Sequence, residues 1–151
     1  MRGRNWLHVR VWLCIPWKMV GRGVGYSADR KTSVIALGVT VQSAPVSVRE
    51  RLATPEAEVP RVISELCSFP HLLEAAVLST CNRLELYLVG ATFHRAVREA
   101  EEWLCRASGL PLEELRPHLF LLRDGDAVEH LLRVASGLES AVLGEGQVLS
   151  Q

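Results

Sequence analysis

No stretch of this 151-residue chain strings together the roughly 18 to 20 apolar residues that a membrane-spanning helix needs. Cysteine is scarce as well: four in this length are too few for a small disulfide-stapled scaffold, so the thiols are expected to be reduced. Neither a Cys-x-x-Cys nor a His-x-x-x-His spacing occurs, which argues against a zinc site. The one glycine-rich stretch, Gly21-Arg22-Gly23-Val24-Gly25, has no strand before it and no helix after it, and so lacks the context of a phosphate-cradling turn. Net charge is absent too, with 17 basic against 17 acidic side chains. What is there, with 48% apolar residues, has the composition of one ordinary globular domain.

The zero net charge hides two different kinds of sequence. Residues 1–33 carry seven basic side chains and one acid, a net of +6, together with three of the four tryptophans (Trp6, Trp12 and Trp17). Residues 34–151 carry ten arginines and sixteen acids, a net of −6. The first segment shows no sustained apolar period and is set apart as a basic N-terminal extension. A basic, acid-poor start suits an organelle transit peptide, although serine is sparse; a disordered extension or a mis-drawn gene start fits equally. The apolar stretch Val11–Trp17 is short and contains Pro16, which disfavours a secretory signal.

From Val34 the pattern becomes regular. Val34–Thr40 is a β-branched run of strand length, and Val46–Ala53 follows as a short helix. Pro60 sits where the first turn of a helix tolerates it, and that helix, reaching about Cys67, puts Val59, Val62, Ile63 and Leu66 on one face. Ala75–Ser79 and Leu84–Val89 read as strands only four residues apart, so Thr80-Cys81-Asn82-Arg83 should form a tight connection projecting from the sheet. Phe93, Ala96, Val97, Ala100, Leu104 and Ala107 recur at helical spacing, between Thr92 as a prospective N-cap and Gly109 as a terminator. Pro111–Arg116 predicts a short helix, Leu119–Leu122 a fourth strand, and Ala127–Ser136 a last helix. The order β-α-β-β-α-β, with extra helices, is that of an α+β ferredoxin-like split sandwich with two helices on one face of an antiparallel sheet. The sequence then halts inside a new apolar-patterned segment, which reads as a fragment.

Cys81 stands out by position, because it lies in a polar turn beside Arg83, whereas Cys67 and Cys105 fall within helices. A cation beside an exposed thiol favours the thiolate and hence nucleophilicity; a small hydrophobe tucked under the turn is the ordinary alternative. His130 lies at the margin of an apolar helical stripe, a place that suits either a hydrogen-bonded core histidine or a functional imidazole.

Three segments, Leu78-Ser79-Thr80-Cys81-Asn82-Arg83-Leu84-Glu85-Leu86-Tyr87, His130-Leu131-Leu132-Arg133-Val134-Ala135-Ser136-Gly137-Leu138-Glu139-Ser140 and Val142-Leu143-Gly144-Glu145-Gly146-Gln147-Val148-Leu149, resemble glutamyl-tRNA reductase. The resemblance runs from about Ser33 to Gln151 and implies a catalytic domain over 34–140 followed by the start of a long spinal helix over 141–151. It implies that Cys81 attacks the glutamyl ester of charged tRNA to give a thioester, which NADPH reduces to glutamate 1-semialdehyde in the first committed step of tetrapyrrole synthesis. The NADPH-binding and dimerisation domains of the family would lie outside this chain, and a homodimer is expected for the full-length family. His130 matches a histidine important for activity. Thr80, Asn82, Arg83, Ser140, Glu145, Gly146, Gln147 and Gln151 match substrate-binding positions; there Arg83 could grip a carboxylate and Glu145 meet the glutamyl ammonium. In isolation, Arg83 reads equally as a solvated turn cation and Glu145 as a helix-start residue favoured by the dipole. Gly146 stands where many bacterial members carry proline. The glycine resembles plant and algal members, which makes residues 1–33 more credible as a plastid transit segment, with the cytoplasm as the alternative. A reading of a different class is a non-catalytic module that keeps the fold to bind a partner protein or tRNA; the intact Thr80-Cys81-Asn82-Arg83 turn argues against it, as does the absence of a basic stripe.

Overall fold

A computed structural model describes residues 32–139. Residues 1–31 and 140–151 lie outside the described residues, and with them most of the basic extension and the expected start of the spinal helix. Strands β1 (Ser33–Thr40), β2 (Leu72–Ser79), β3 (Arg83–Gly90) and β4 (Phe120–Arg123) form one sheet in the order β2-β3-β1-β4. All neighbours are antiparallel. Helices α1 (Val46–Leu52), α2 (Val59–Leu66), α3 (Phe93–Ser108), α4 (Leu112–Leu115) and α5 (Gly125–Ala135) complete the described fold. The βαββαβ order and the split-sandwich topology expected from the pattern are both present.

The core follows from strand alternation. Ile35, Leu37 and Val39 of β1 and Leu84, Leu86 and Leu88 of β3 point to one face, where they pack with Leu52, Val62, Ile63, Leu66, Ala96, Ala100 and Leu104 from the helices. Polar contacts fix the helices on that face. Trp103 Nε1 donates to Glu65 Oε2 at 3.0 Å, tying α3 to α2, and the Arg116 fork grips the mostly buried Glu101 through both oxygens at 3.2 and 3.0 Å. Gly109, with φ of 68°, ends α3 in the left-handed conformation, as its position implies.

Several element ends differ from expectation. β2 begins at Leu72, three residues early, because an irregularity between Leu72 and Glu74 lets it stay paired to β3 despite mixed polarity. Thr92 occupies the N-cap position in extended backbone, but its side chain caps nothing. α5 starts at Gly125 because Asp124 turns the chain sharply with φ of 49°, donating to the Val34 carbonyl at 2.7 Å and accepting from the Val34 N–H at 3.0 Å.

α5 is the element that places the second face of the sheet in the story. Its His130 meets Glu85 and Tyr87, which alternate with the core leucines of β3, so α5 lies against the face turned away from α1, α2 and α3. The strands approach closely there. A Cβ on Gly38, which pairs with Glu85 on one side and Phe120 on the other, would come within 2.1 Å of the Leu84 carbonyl oxygen and 2.9 Å of Glu85 Cα. Both obstacles are backbone, which cannot swing aside. Gly38→Ala is therefore expected to destabilise the fold by about 1–3 kcal/mol, read as a lowered urea midpoint with unchanged slope.

Candidate active site

The connection between β2 and β3 is a closed hairpin turn. Thr80 donates its backbone N–H to the Arg83 carbonyl at 2.8 Å, and Asn82 donates its own to Thr80 Oγ1 at 3.2 Å, so the threonine hydroxyl completes the bend. Cys81 sits in this turn and is exposed. Its carbonyl accepts a hydrogen bond from Arg49 Nη1 at 2.7 Å, while Arg49 Nε donates to the Ala44 carbonyl at 3.2 Å. One guanidinium thus clips the cysteine turn to the loop that opens α1. The alternative of a cysteine tucked under the turn does not apply.

Below the turn, Arg83, Glu85 and Tyr87 share the face that α5 covers. Glu85 is fully buried, and a buried carboxylate requires donors on its oxygens. Arg83 Nη1 donates to Oε1 at 2.8 Å, whereas Tyr87 Oη and His130 Nε2 both reach Oε2, at 2.5 and 3.2 Å. Arg83 Nη2 also donates to the Glu139 carbonyl, so the chain leaves the described region held against the same arginine. Burial, then the hydrogen bond and negative charge of Glu85, push the Tyr87 phenol far above the ordinary tyrosine range; Tyr87 is a donor here and not a phenolate. The His130 ring lies 5.0 Å from the Phe120 ring and 6.5 Å from that of Tyr87, centroid to centroid.

The sequence-level candidates therefore fall into three groups. Thr80, Cys81, Asn82 and Arg83 form one turn. His130 joins that turn through Glu85 and Arg83 and is both a satisfied, largely buried histidine and a member of the cluster. Ser140, Glu145, Gly146, Gln147 and Gln151 lie outside the described residues. Sequence reasoning missed Glu85, Tyr87 and Arg49. For the first two a signal existed, since Arg83-x-Glu85-x-Tyr87 puts three polar side chains on one strand face; Arg49 is 32 residues from the carbonyl it clips and left no local trace.

A shallow depression of about 280 Å³ opens beside the imidazole, lined by Leu122, Asp126, Glu129, His130 and Arg133. A groove of about 530 Å³ between α1, α2 and α3 contains neither Cys81 nor His130. Among the described residues no three side chains gather as metal ligands, and no helix is long and apolar enough to cross a membrane. The described sheet is wholly antiparallel and, among the described residues, no strand feeds a glycine-rich turn into a helix, so the dinucleotide-binding turn of a parallel doubly wound fold is not found among them.

The family model for the N-terminal domain of glutamyl-tRNA(Glu) reductase matches residues 37–151. This chain belongs to that family. It is 54% identical over 129 residues to the chloroplastic glutamyl-tRNA reductase 1 of Hordeum vulgare, covering 83% of this chain and 24% of that protein. Against the chloroplastic glutamyl-tRNA reductase 2 of Arabidopsis thaliana it is 49% identical over 126 residues, again 83% of this chain and 24% of the other. Among solved structures, the glutamyl-tRNA reductase of Methanopyrus kandleri matches with a TM-score of 0.52 at 30% identity, covering 78% of this chain and 26% of that one. The chain thus spans about a quarter of the length of the relatives it matches.

The partly buried, hydrogen-bonded phenol of Tyr87 makes a spectroscopic prediction. The chain has two tyrosines, Tyr26 and Tyr87; in a Tyr26→Phe variant, phenolate absorbance should stay flat through pH of about 10 and rise only as the protein unfolds. The native state holds the Tyr87 proton more tightly than the unfolded chain does, so stability is full below the unfolded phenol pKa of about 10 and declines above it. A phenolate step near pH 10 with native circular dichroism would contradict the Tyr87–Glu85 hydrogen bond.

Proposed function

We propose that this chain performs the acyl-transfer half of glutamyl-tRNA reduction. The Cys81 thiol gives up its proton and the thiolate attacks the carbonyl carbon of the glutamyl ester; the new carbon–sulfur bond forms, the carbon–oxygen bond to the terminal ribose breaks, and that oxygen takes up the proton the thiol lost, so the tRNA leaves with a free hydroxyl. A thiolate suits this exchange because the thioester product stays electrophilic, whereas an alkoxide would end in another ester. The observation that carries the reading is an exposed cysteine at the tip of a turn that is held by backbone closure and by Arg49. Exposure matters because the substrate is a large nucleic acid whose aminoacylated end has to reach the sulfur.

Around the nucleophile, Thr80, Asn82 and Arg83 are the proposed substrate contacts, and Arg83 keeps N–H donors beyond those spent on Glu85 and Glu139 for the glutamyl carboxylate. Ser140, Glu145, Gly146, Gln147 and Gln151 are proposed to complete recognition, Glu145 toward the ammonium. Support for the first of these comes from the contact of Arg83 with the Glu139 carbonyl, one residue before Ser140. His130 is the proposed group for proton transfer or for holding the thioester. NADPH supplies hydride in the family, and no residue described here is assigned to it. A plastid location and a dimeric full-length protein are proposed from the chloroplastic relatives and from the family resemblance. The non-catalytic module is not favoured, since every residue of the Thr80–Arg83 turn is retained.

Intact-mass analysis after incubation with glutamyl-tRNA tests the reading. The wild-type chain should gain one glutamyl group that hydroxylamine removes, and Cys81→Ser should reduce its formation by at least about 10²-fold with the fold unchanged. A folded wild-type protein that leaves the tRNA charged and gains no mass would exclude acyl transfer.

A further inference from the structure

We propose that Glu85 is a positioning residue for this site: its buried carboxylate holds His130 as the Nε2–H tautomer and the Arg83 fork in place, through one shared group. The inference rests on the acyl-transfer reading for its kinetic consequence but not for its structural one.

The argument begins with what a carboxylate can do. Glu85 has acceptors and no donor, and three donors converge on it: Arg83 on Oε1, Tyr87 and His130 on Oε2. A neutral imidazole has one N–H and one bare nitrogen, so a ring that turns Nε2 toward this oxygen carries its hydrogen there. Nδ1 is then the lone pair, and it is the only ring nitrogen left to accept a proton or a hydrogen bond. Tyr87 and Phe120 flank the ring, which restricts the imidazole flip that would exchange the two nitrogens. The same carboxylate fixes Arg83, and Arg83 belongs to the turn that holds Cys81. The imidazole and the nucleophile are thereby referenced to one buried point, although they sit on different elements separated by 49 residues of sequence.

Glu85→Gln turns this into an inversion. The side chain keeps its shape but brings one oxygen and one NH2 to a place where three donors meet. The permanent charge of Arg83 claims the oxygen, so the NH2 faces Tyr87 and His130. Tyr87 can rotate its hydroxyl hydrogen away and accept; His130 can accept only by moving its hydrogen to Nδ1. The substitution therefore reverses the tautomer and removes the bare Nδ1.

Long-range proton–nitrogen NMR on the uniformly 15N-labelled 151-residue chain reads the ring directly at about pH 8.5, where imidazole is ordinarily neutral. The His130 signals are assigned among the five histidines by comparison with His130→Gln. In the wild type Nε2 should be protonated and Nδ1 bare; in Glu85→Gln the two should exchange. The rate of thioester formation should fall by about 10²-fold, with the half-saturating glutamyl-tRNA concentration changed by less than about threefold. Alkylation of Cys81 by iodoacetamide should stay within about twofold, since neither the turn nor the thiol is altered. Glu85→Asp, which keeps a carboxylate, should retain the Nε2–H form and recover at least about tenfold of the lost rate; it carries the test if the glutamine variant does not fold. A wild-type Nδ1–H ring, an unchanged ring in Glu85→Gln, or an unchanged rate would each overturn the proposal. A wild-type chain that forms no thioester while its ring still inverts on substitution would overturn the acyl-transfer reading and uphold the Glu85–His130 arrangement.

Discussion

A carboxylate with no solvent exposure is the constraint around which the second face of this sheet is built. Removing such a group from water costs several kcal/mol unless donors replace the lost hydration. Glu85 obtains them from three directions: a cation two residues back on its own strand, a phenol two residues ahead, and an imidazole from α5. Each donor is thereby held in one place. Gly38 belongs to the same constraint, because only a residue without Cβ lets β1 lie this close to the Leu84–Glu85 backbone. A buried ion pair is weak evidence for stability, and an apolar replacement of the whole cluster would not obviously cost the fold anything. Its consequence is geometric: α5, whose buried residues among those described reduce to Ala127, is registered on the sheet by polar contacts more than by apolar burial.

The opposite face obeys simpler rules, and this difference explains what was legible in the sequence. On the helical face the period-two leucines of β3 and the period-3.6 residues of α3 report directly on what they bury, so the strands, the long helix and its glycine stop follow from the pattern. Two element ends needed tertiary information: the early start of β2, which pairing sustains through a bulge, and the sharp Asp124 turn that opens α5. Thr92 has the right backbone for a cap without using its hydroxyl, which shows that the choice of residue type at an N-cap is a preference and not a bond.

The site divides along the same line. Position alone placed Thr80, Cys81, Asn82 and Arg83 together, because a four-residue polar stretch between two apolar strands has little choice but to turn outward. Position left His130 undecided between core and function, and the structure seats it, largely buried, on the carboxylate that Arg83 also contacts. What one strand's pattern could not disclose was that both of its faces are covered. Glu85 and Tyr87 lie where an amphipathic strand would meet water, and only the return of α5 across the sheet buries them. Arg49 belongs to a third kind, a long-range clip to a backbone carbonyl, with no periodicity to betray it.

The charge distribution sets a last condition on how such a site meets its proposed substrate. A nucleic acid is bound mainly through cations that displace counterions from its phosphates. The segment from residue 34 onward carries a net charge of −6, and several of its arginines are already committed to carboxylates: Arg61 to Glu58 and Glu65, Arg116 to Glu101, Arg133 to Glu139. This body repels a phosphate backbone at long range. Under the proposed function, the turn that bears Cys81 would engage the aminoacylated terminus as a small, chemically specific group, through its carbonyl, carboxylate and ammonium, and not by attraction to the polymer behind it. That favours a protruding nucleophile over a deep cleft, since a cleft would draw further phosphates against an acidic wall. The exposed tip of the hairpin, braced from below by the hydrogen-bonded Arg83–Glu85–Tyr87–His130 cluster, is a form that meets this demand.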